Sequence, residues 1–349
     1  MYTKQVDIVS MTLLMTASAA VAQLESTLIA FVSDRDGNNE IYVIAPDGAG
    51  LTNLTLNGGN DESPSWSPDG TKIAFASNRD ASIRDIFVMD ADGANPQNLT
   101  SNAADNDWDP AWSPDGTQIA FRSNRAPIGL YVMDEDGSNV APLLTGVEVV
   151  YPAWSPDGSK IAYESDAGDG PEISVLDIAT MVVTRLTTAA VSPVAGAPAW
   201  SPDGSTIAFH SRQNGSEDVW TMNAADGSGR VPLTGSGDGG RLPAWSSDGT
   251  ELAFATYRDN RWAVYVMDAD GANQTRVTAH ASNNDFPAWS PSAVPFAAIT
   301  APMANDVLPV GTTSVDVTIA LVNHATPGTW AWQLDTPSPP PARQKATRW

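Results

Sequence analysis

Trp66-Ser67-Pro68-Asp69-Gly70 is the stretch on which the fold turns. Proline pre-sets φ for the second position of a tight turn, Asp suits the next position, and Gly supplies the left-handed one. The same five residues recur at 112–116, 154–158 and 200–204. Trp-Ser-Ser-Asp-Gly follows at 245–249 and a decayed Trp-Ser-Pro-Ser-Ala at 289–293. The tryptophans are spaced 46, 42, 46, 45 and 44 residues apart. A fixed period of this size is the mark of a repeat architecture.

Working outward from the motif, each period holds four short runs. Pro-Ala-Trp or Pro-Ser-Trp comes first. An Ile-Ala-Phe type follows at 29–31, 73–75, 119–121, 161–163, 207–209 and 252–254. An Ile-Tyr-Val type stands at 41–43, 86–88, 130–132, 173–175, 219–221 and 264–266, and the last run ends in Leu-Thr or Val-Thr. These runs are rich in β-branched and aromatic residues and bounded by turn residues, so they predict strands. Four strands per period, six times over, predict an all-β, six-bladed β-propeller. The phase predicts closure as well. The repeats begin with the second strand type at Leu28 to Val32 and end with a lone Trp-Ser-Pro strand at Pro287 to Ser290. In a ring these ends complete one blade, three strands plus one, and remove two open sheet edges.

At these residues the chain resembles the TolB-type family of Trp-Ser-Pro-Asp-Gly propellers, over about 28–291. The resemblance implies a six-bladed, extracytoplasmic propeller that binds another protein at its mouth. Only about 27 residues precede the first strand, so the separate N-terminal α/β domain of that family is not expected.

The ends read differently. Residues 1–22 predict an export signal, with Lys4, a modest apolar stretch from Ile8 to Ala19, and Ala20-Val21-Ala22 offering a cleavage site. Residues 23–291 form the propeller. Residues 292–349 hold runs such as 313–319 and 328–334 that suggest part of an immunoglobulin-like β-sandwich, too short for a whole one. A Pro-rich, then basic, disordered tail follows.

Composition narrows the function. Lys and Arg number 18 against 41 Asp and Glu, a net charge of −23, which repels nucleic acid. There is no Cys, and the three histidines, His210, His280 and His324, are far apart in sequence. Thiol chemistry, Cys-ligated metals and a multi-histidine site are thereby set aside. No Gly-x-Ser-x-Gly elbow is present. The expectation is a non-catalytic, monomeric, exported protein-binding module. A carbohydrate-active lyase or hydrolase using channel carboxylates is the alternative, and a module of a larger surface protein is a third reading.

Much of the acidity is turn chemistry, at Asp69, Asp115, Asp157, Asp203 and Asp248 and in later turns such as Asp134 and Asp136. The repeated Trp66, Trp112, Trp154, Trp200, Trp245 and Trp289 are expected as wedges between blades. The opposite face is the candidate binding mouth. Asp61, Glu62, Asp105, Asp107, Asp109, Glu148, Asp238 and Asp285 are expected to surround the channel there, with Arg241 the single base and Trp108 an exposed aromatic anchor. Such a ring suits a basic or amphipathic segment of a protein partner. Arg35, Arg79, Arg125, Arg212 and Arg258 recur once per blade and are expected to pair with nearby carboxylates, with Asp166 breaking the pattern in the fourth blade. Asp34, Asp36, Asn38 and Glu40 alternate in a way that resembles oxygen spacing for Ca²⁺, the weak metal candidate; no cofactor is otherwise expected.

Overall fold

The computed structural model describes residues 27–291, apart from 81–82, 102–103, 167, 169, 189–193, 236, 238 and 280–281. The signal-peptide reading at 1–22 and the sandwich-like stretch at 292–349 lie outside the described residues. The chain divides into a unit over Met1–Ala298, which contains the propeller, and a second over Ile299–Trp349.

Six four-stranded antiparallel sheets make up the described residues. The second blade is typical: Asp61–Trp66, Lys72–Ser77, Asp85–Asp90 and Gln97–Asn98, from the channel outward. The first blade closes the ring. Asn284–Trp289 is its innermost strand, paired with Ile29–Ser33 through Ile29 opposite Trp289 and Ala30 opposite Ala288. Beyond the ladder, Ser290 N donates to Leu28 O at 2.8 Å, and Leu28 N donates to Ser290 Oγ at 2.9 Å. The phase of the repeats therefore gives the closure it predicts.

Six apolar clusters hold the blades together, one at each junction, including that between the sixth and first blades. Each has a tryptophan of the repeat in it or packed against it. Trp66, Trp154, Trp200 and Trp245 also donate from Nε1 to an alanine carbonyl in the preceding blade, at 3.1–3.2 Å. The tryptophans act as wedges and, in these four blades, as clips. Phe31, Phe75, Phe121, Phe209 and Phe254 of the second strands are fully buried, and burying each such side chain contributes about 1.5–3 kcal/mol.

The turn grammar is equally physical. Asp69 accepts from Ser67 Oγ at 2.6 Å and from Thr71 N, while Ser67 Oγ accepts from Lys72 N. The same set recurs at Asp115, Asp157, Asp203 and Asp248. The Leu-Thr runs have a role of the same kind. Thr55, Thr100, Thr187, Thr234 and Thr278 each accept, through Oγ1, from a third-strand backbone N–H at 2.8–3.0 Å. A buried N–H beyond the reach of the short fourth strand is thereby satisfied.

Candidate functional site

The innermost strands converge on a channel of about 570 Å³. Its wall repeats one local device six times. The residue before the proline of Pro-Ala-Trp has φ near +50° in every blade: Ser63, Asp109, Tyr151, Ala197, Leu242 and Phe286. The register shifts over the same residues, so each inner strand carries a bulge. All six line the channel. Residues before proline normally stay extended, and of the six only Asp109 is among the mouth residues expected from the sequence, as an acid. A usable signal was present, since this position varies in every blade while the proline and tryptophan beside it do not.

The ring is symmetric in backbone and asymmetric in chemistry. Tyr151 of the fourth blade and Phe286 of the first come from opposite sides of the ring, and their ring centroids lie 6.1 Å apart across the channel. Asp109 accepts from Ser63 Oγ at 2.9 Å. Burial pushes its carboxyl above the usual range, against the Ser63 hydrogen bond and the nearby Arg122 charge. Burial first, then the charges of Asp109, Glu164 and Asp285, raises the Tyr151 phenol.

The second strands add a further departure from the repeat. Val32, Ala76 and Ala255 occupy one register position in the first, second and sixth blades, where the third, fourth and fifth have Arg122, Glu164 and His210. Glu164 accepts from Ala197 N at 3.2 Å, and burial pushes its carboxyl up to about 7, aided by Asp109. Burial lowers the His210 imidazole to about 4, which keeps it neutral. Neither Glu164 nor His210 is among the mouth residues expected from the sequence.

The structure sorts the expected mouth residues into different roles. Asp61 and Asp107 are fully buried, not displayed on a rim. Arg79 Nη2 stands 3.0 Å from Asp61 Oδ1, and Arg125 Nη2 stands 2.6 Å from Asp107 Oδ2. Each arginine also lies over two aromatic rings of its own blade. These pairs bear out the structural reading of the recurring arginines. Arg35 instead reaches Asn284 Oδ1 at 2.9 Å, Arg212 pairs with Glu217, and Arg258 donates to Gln274. In the fourth blade both partners are gone: Val149 stands where the acid would be, and Asp166 caps its own turn through Gly168 N.

Trp108 is half-buried under the Arg122 guanidinium, 4.7 Å from its ring, which corrects the expectation of an exposed anchor. Arg122 pairs with the exposed Glu148, and Glu62 pairs with Arg84 at 3.0 Å. Arg241 pairs with Asp285 and lies 3.5 Å above the Trp262 ring. Asp105 is half-buried in the loop before the third blade, and Asp238 lies outside the described residues.

The Ca²⁺ candidates are engaged separately. Asp34 accepts from Asn283 N and Nδ2 at 2.8 and 2.7 Å, which latches the closing strand. Asp36 accepts from Tyr42 and Asn53, and Asn38 turns its amide N–H₂ toward Glu40 at 2.7 Å. Glu40 is buried and accepts from Thr55. Among the described residues no three Asp, Glu or His form a group that could hold a metal.

Comparison with known proteins agrees with this geometry. A protein TolB homolog from Chlorobium luteolum is 44% identical over 55 residues, 16% of this chain and 12% of that protein. TolB from Acinetobacter baumannii superposes with a TM-score of 0.66 at 24% identity, over 76% of this chain and 66% of that one. A chain assigned as TolB from Agrobacterium tumefaciens gives 0.58 at 23% identity, over 72% of this chain and 88% of its own. At these identities the structural likeness is one of fold. The family model of the TolB beta propeller domain matches residues 126–316, more than half of the chain, and the chain belongs to that family.

Proposed function

We propose that this propeller is an exported, non-catalytic module that binds a segment of another protein at the acidic end of its channel. The observation that carries the reading is the asymmetry of the channel wall. The ring needs only the repeated proline, tryptophan and turn residues, yet Asp109, Tyr151, Leu242 and Phe286 differ at one position. Large apolar faces set among carboxylates are the chemistry of a hot spot for a basic or amphipathic segment. Family membership supports a protein partner, and the export-signal reading of residues 1–22 supports a periplasmic or extracellular setting.

Capture of a partner from envelope extract tests this. Capture should weaken with salt and fall for Tyr151→Asn and Phe286→Asn, because Asn tolerates the left-handed backbone. Trp108→Ala should release Arg122 and speed dissociation. Asp134→Asn with Asp136→Asn, on the other face, should change nothing. Equal capture by all of these proteins would defeat the reading.

One observation favours a second reading. Two carboxyls near one channel end, Asp109 and Glu164, with Glu164 held near neutrality, is a pattern used by glycan-cleaving enzymes. Turnover of a glycan that is lost in Glu164→Gln would establish it in place of the first.

A further inference from the structure

The loops that join second to third strands belong to the mouth side of the ring, and five of them hold no aromatic residue: 34–39, 78–84, 124–128, 167–170 and 212–217. The loop of the sixth blade, 257–262, holds two, Tyr257 and Trp262, with Arg258 and Arg261 between them. Tyr257 is 53% exposed, and it is the one exposed aromatic side chain among the described residues. Its ring meets that of Trp262 edge-on, with centroids 5.5 Å apart at 61°. An aromatic ring held by a neighbour but left uncovered has little freedom to lose when a partner covers it.

Charge departs from the repeat at the same corner. Of the recurring arginines, Arg79, Arg125 and Arg212 pair with carboxylates, and Arg35 stands between Asp34 and Asp36. Arg258 donates instead to the neutral Gln274 at 2.7 Å. Arg261 is exposed and has no ion pair or hydrogen bond among the described residues. The two acids of this corner are already engaged: Asp285 by Arg241, and Asp259 by Arg276 at 3.3 Å and the Tyr265 hydroxyl at 2.6 Å. Two positive charges are thus left over beside the exposed ring, in a chain whose net charge is −23.

The corner is continuous with the channel. Arg241 covers the Trp262 face and pairs with Asp285, and the residues that follow these two, Leu242 and Phe286, both line the channel. Trp262 O accepts from Asn284 N at 2.9 Å, which ties the loop to the start of the closing strand. A segment that leaves the channel past Phe286 on this side meets Arg241, Trp262 and then Tyr257.

We infer that this sixth-blade ledge receives an acidic side chain, flanked by an apolar one, of the segment that the mouth binds. Arg261 supplies a planar guanidinium fork, which fits a carboxylate, and Arg258 adds a second uncompensated charge. The face of Tyr257 takes the neighbouring apolar residue. The inference rests on the protein-binding reading above and names more of the partner's chemistry. Its segment is charge-segregated, basic or apolar toward Asp109 and acidic toward the sixth blade, and that segregation fixes its direction across the mouth.

The full chain labelled with 5-fluorotryptophan reports on the ledge through the Trp262 ¹⁹F resonance, assigned with Trp262→Phe. The probe is acetyl-Leu-Glu-Leu-amide, beside its glutamine and lysine counterparts. The glutamate peptide should shift the Trp262 resonance saturably and bind at least about fivefold tighter than the other two. Arg261→Glu should reverse the order, so that the lysine peptide binds tightest, an outcome that a merely structural arginine would not give. Tyr257→Ser should weaken the glutamate peptide by about threefold or more while melting like the parent. Equal binding of the three peptides, no saturable shift below about 10 mM, or an unchanged order in Arg261→Glu would overturn the inference. In envelope extract, Arg261→Glu should lower the capture that depends on Tyr151 and Phe286. If that capture is unchanged in both Arg261→Glu and Tyr257→Ser, this inference fails while the binding reading stands. If the glutamate peptide binds as expected but nothing is captured through Tyr151 and Phe286, the binding reading fails and the ledge stands as a site for acidic ligands.

Discussion

Cutting the chain after residue 283 removes the strand that completes the first blade, and the structure gives the scale of the loss. Trp289 is 7% exposed and packs against Ile29, Phe31, Val264, Val266 and Val277 from two blades. Losing a core tryptophan of this kind costs about 3–5 kcal/mol. The cut also strips the ladder partners of Ile29–Ser33, the Ser290 bonds to Leu28, and the Ala288 carbonyl that accepts from Trp66. Each lost hydrogen bond contributes about 0.5–1.5 kcal/mol, so the total matches the 5–15 kcal/mol that typically separates a folded domain from its unfolded state. The truncated ring should show no cooperative thermal transition. Trp289→Ala in the full chain should fold but melt roughly 6–20 °C lower, from the tryptophan cost and about 2–4 °C per kcal/mol for a chain of this size. Cutting after residue 291 should leave the melting temperature within a few degrees of the parent. Calorimetry or circular dichroism reads all three. A cooperative melt at the parent temperature after the cut at 283 would refute closure by this strand.

Further predictions concern the rest of the framework. Arg79→Ala strands the fully buried Asp61 carboxylate and should cost about 3–5 kcal/mol in denaturant unfolding. Adding Asp61→Asn should recover part of that loss. Thr234→Ala leaves Val219 N–H and the buried Asp218 short of a partner and should cost about 1–3 kcal/mol. Hydrogen bonds from Ser155 and Ser159 hold the Asp157 carboxyl down at about 2, below its ordinary 3.8. The stabilisation it gives is therefore complete above pH 4 and is lost as pH falls through 2. The melting-temperature gap between the parent and Asp157→Ala should narrow over that window.

What could be read from the sequence was local and repeated. Each Trp-Ser-Pro-Asp-Gly turn makes its own hydrogen bonds, and each tryptophan wedges against the neighbouring blade, so six copies of one pattern were enough to give blade number, strand order and closure. The candidate site depends on departures from that pattern, and these are not local. The six pre-proline residues turn into the channel through a left-handed backbone that proline rules alone do not suggest. Glu164 and His210 meet only because Gly196, on a different strand, leaves them room. Asp61 and Asp107 read as rim acids because the sequence shows their number and spacing, not the Arg79 and Arg125 side chains folded over them. Asp34 read as a cation ligand, yet its partner is Asn283, 249 residues away and just before the closing strand.

The proposed entry site of the partner is the acidic end of the channel. Placing a photo-cross-linking benzoylphenylalanine at Leu242, which lines the channel, and at Asp134, where a strand enters a turn on the opposite face, tests this directly. Irradiation of each protein with envelope extract, followed by mass spectrometry of the adducts, reads out the site. A salt-sensitive adduct is expected from Leu242, mapped to one basic or amphipathic segment of one protein, and none of that protein from Asp134. The same adduct from Asp134 with none from Leu242 would contradict it.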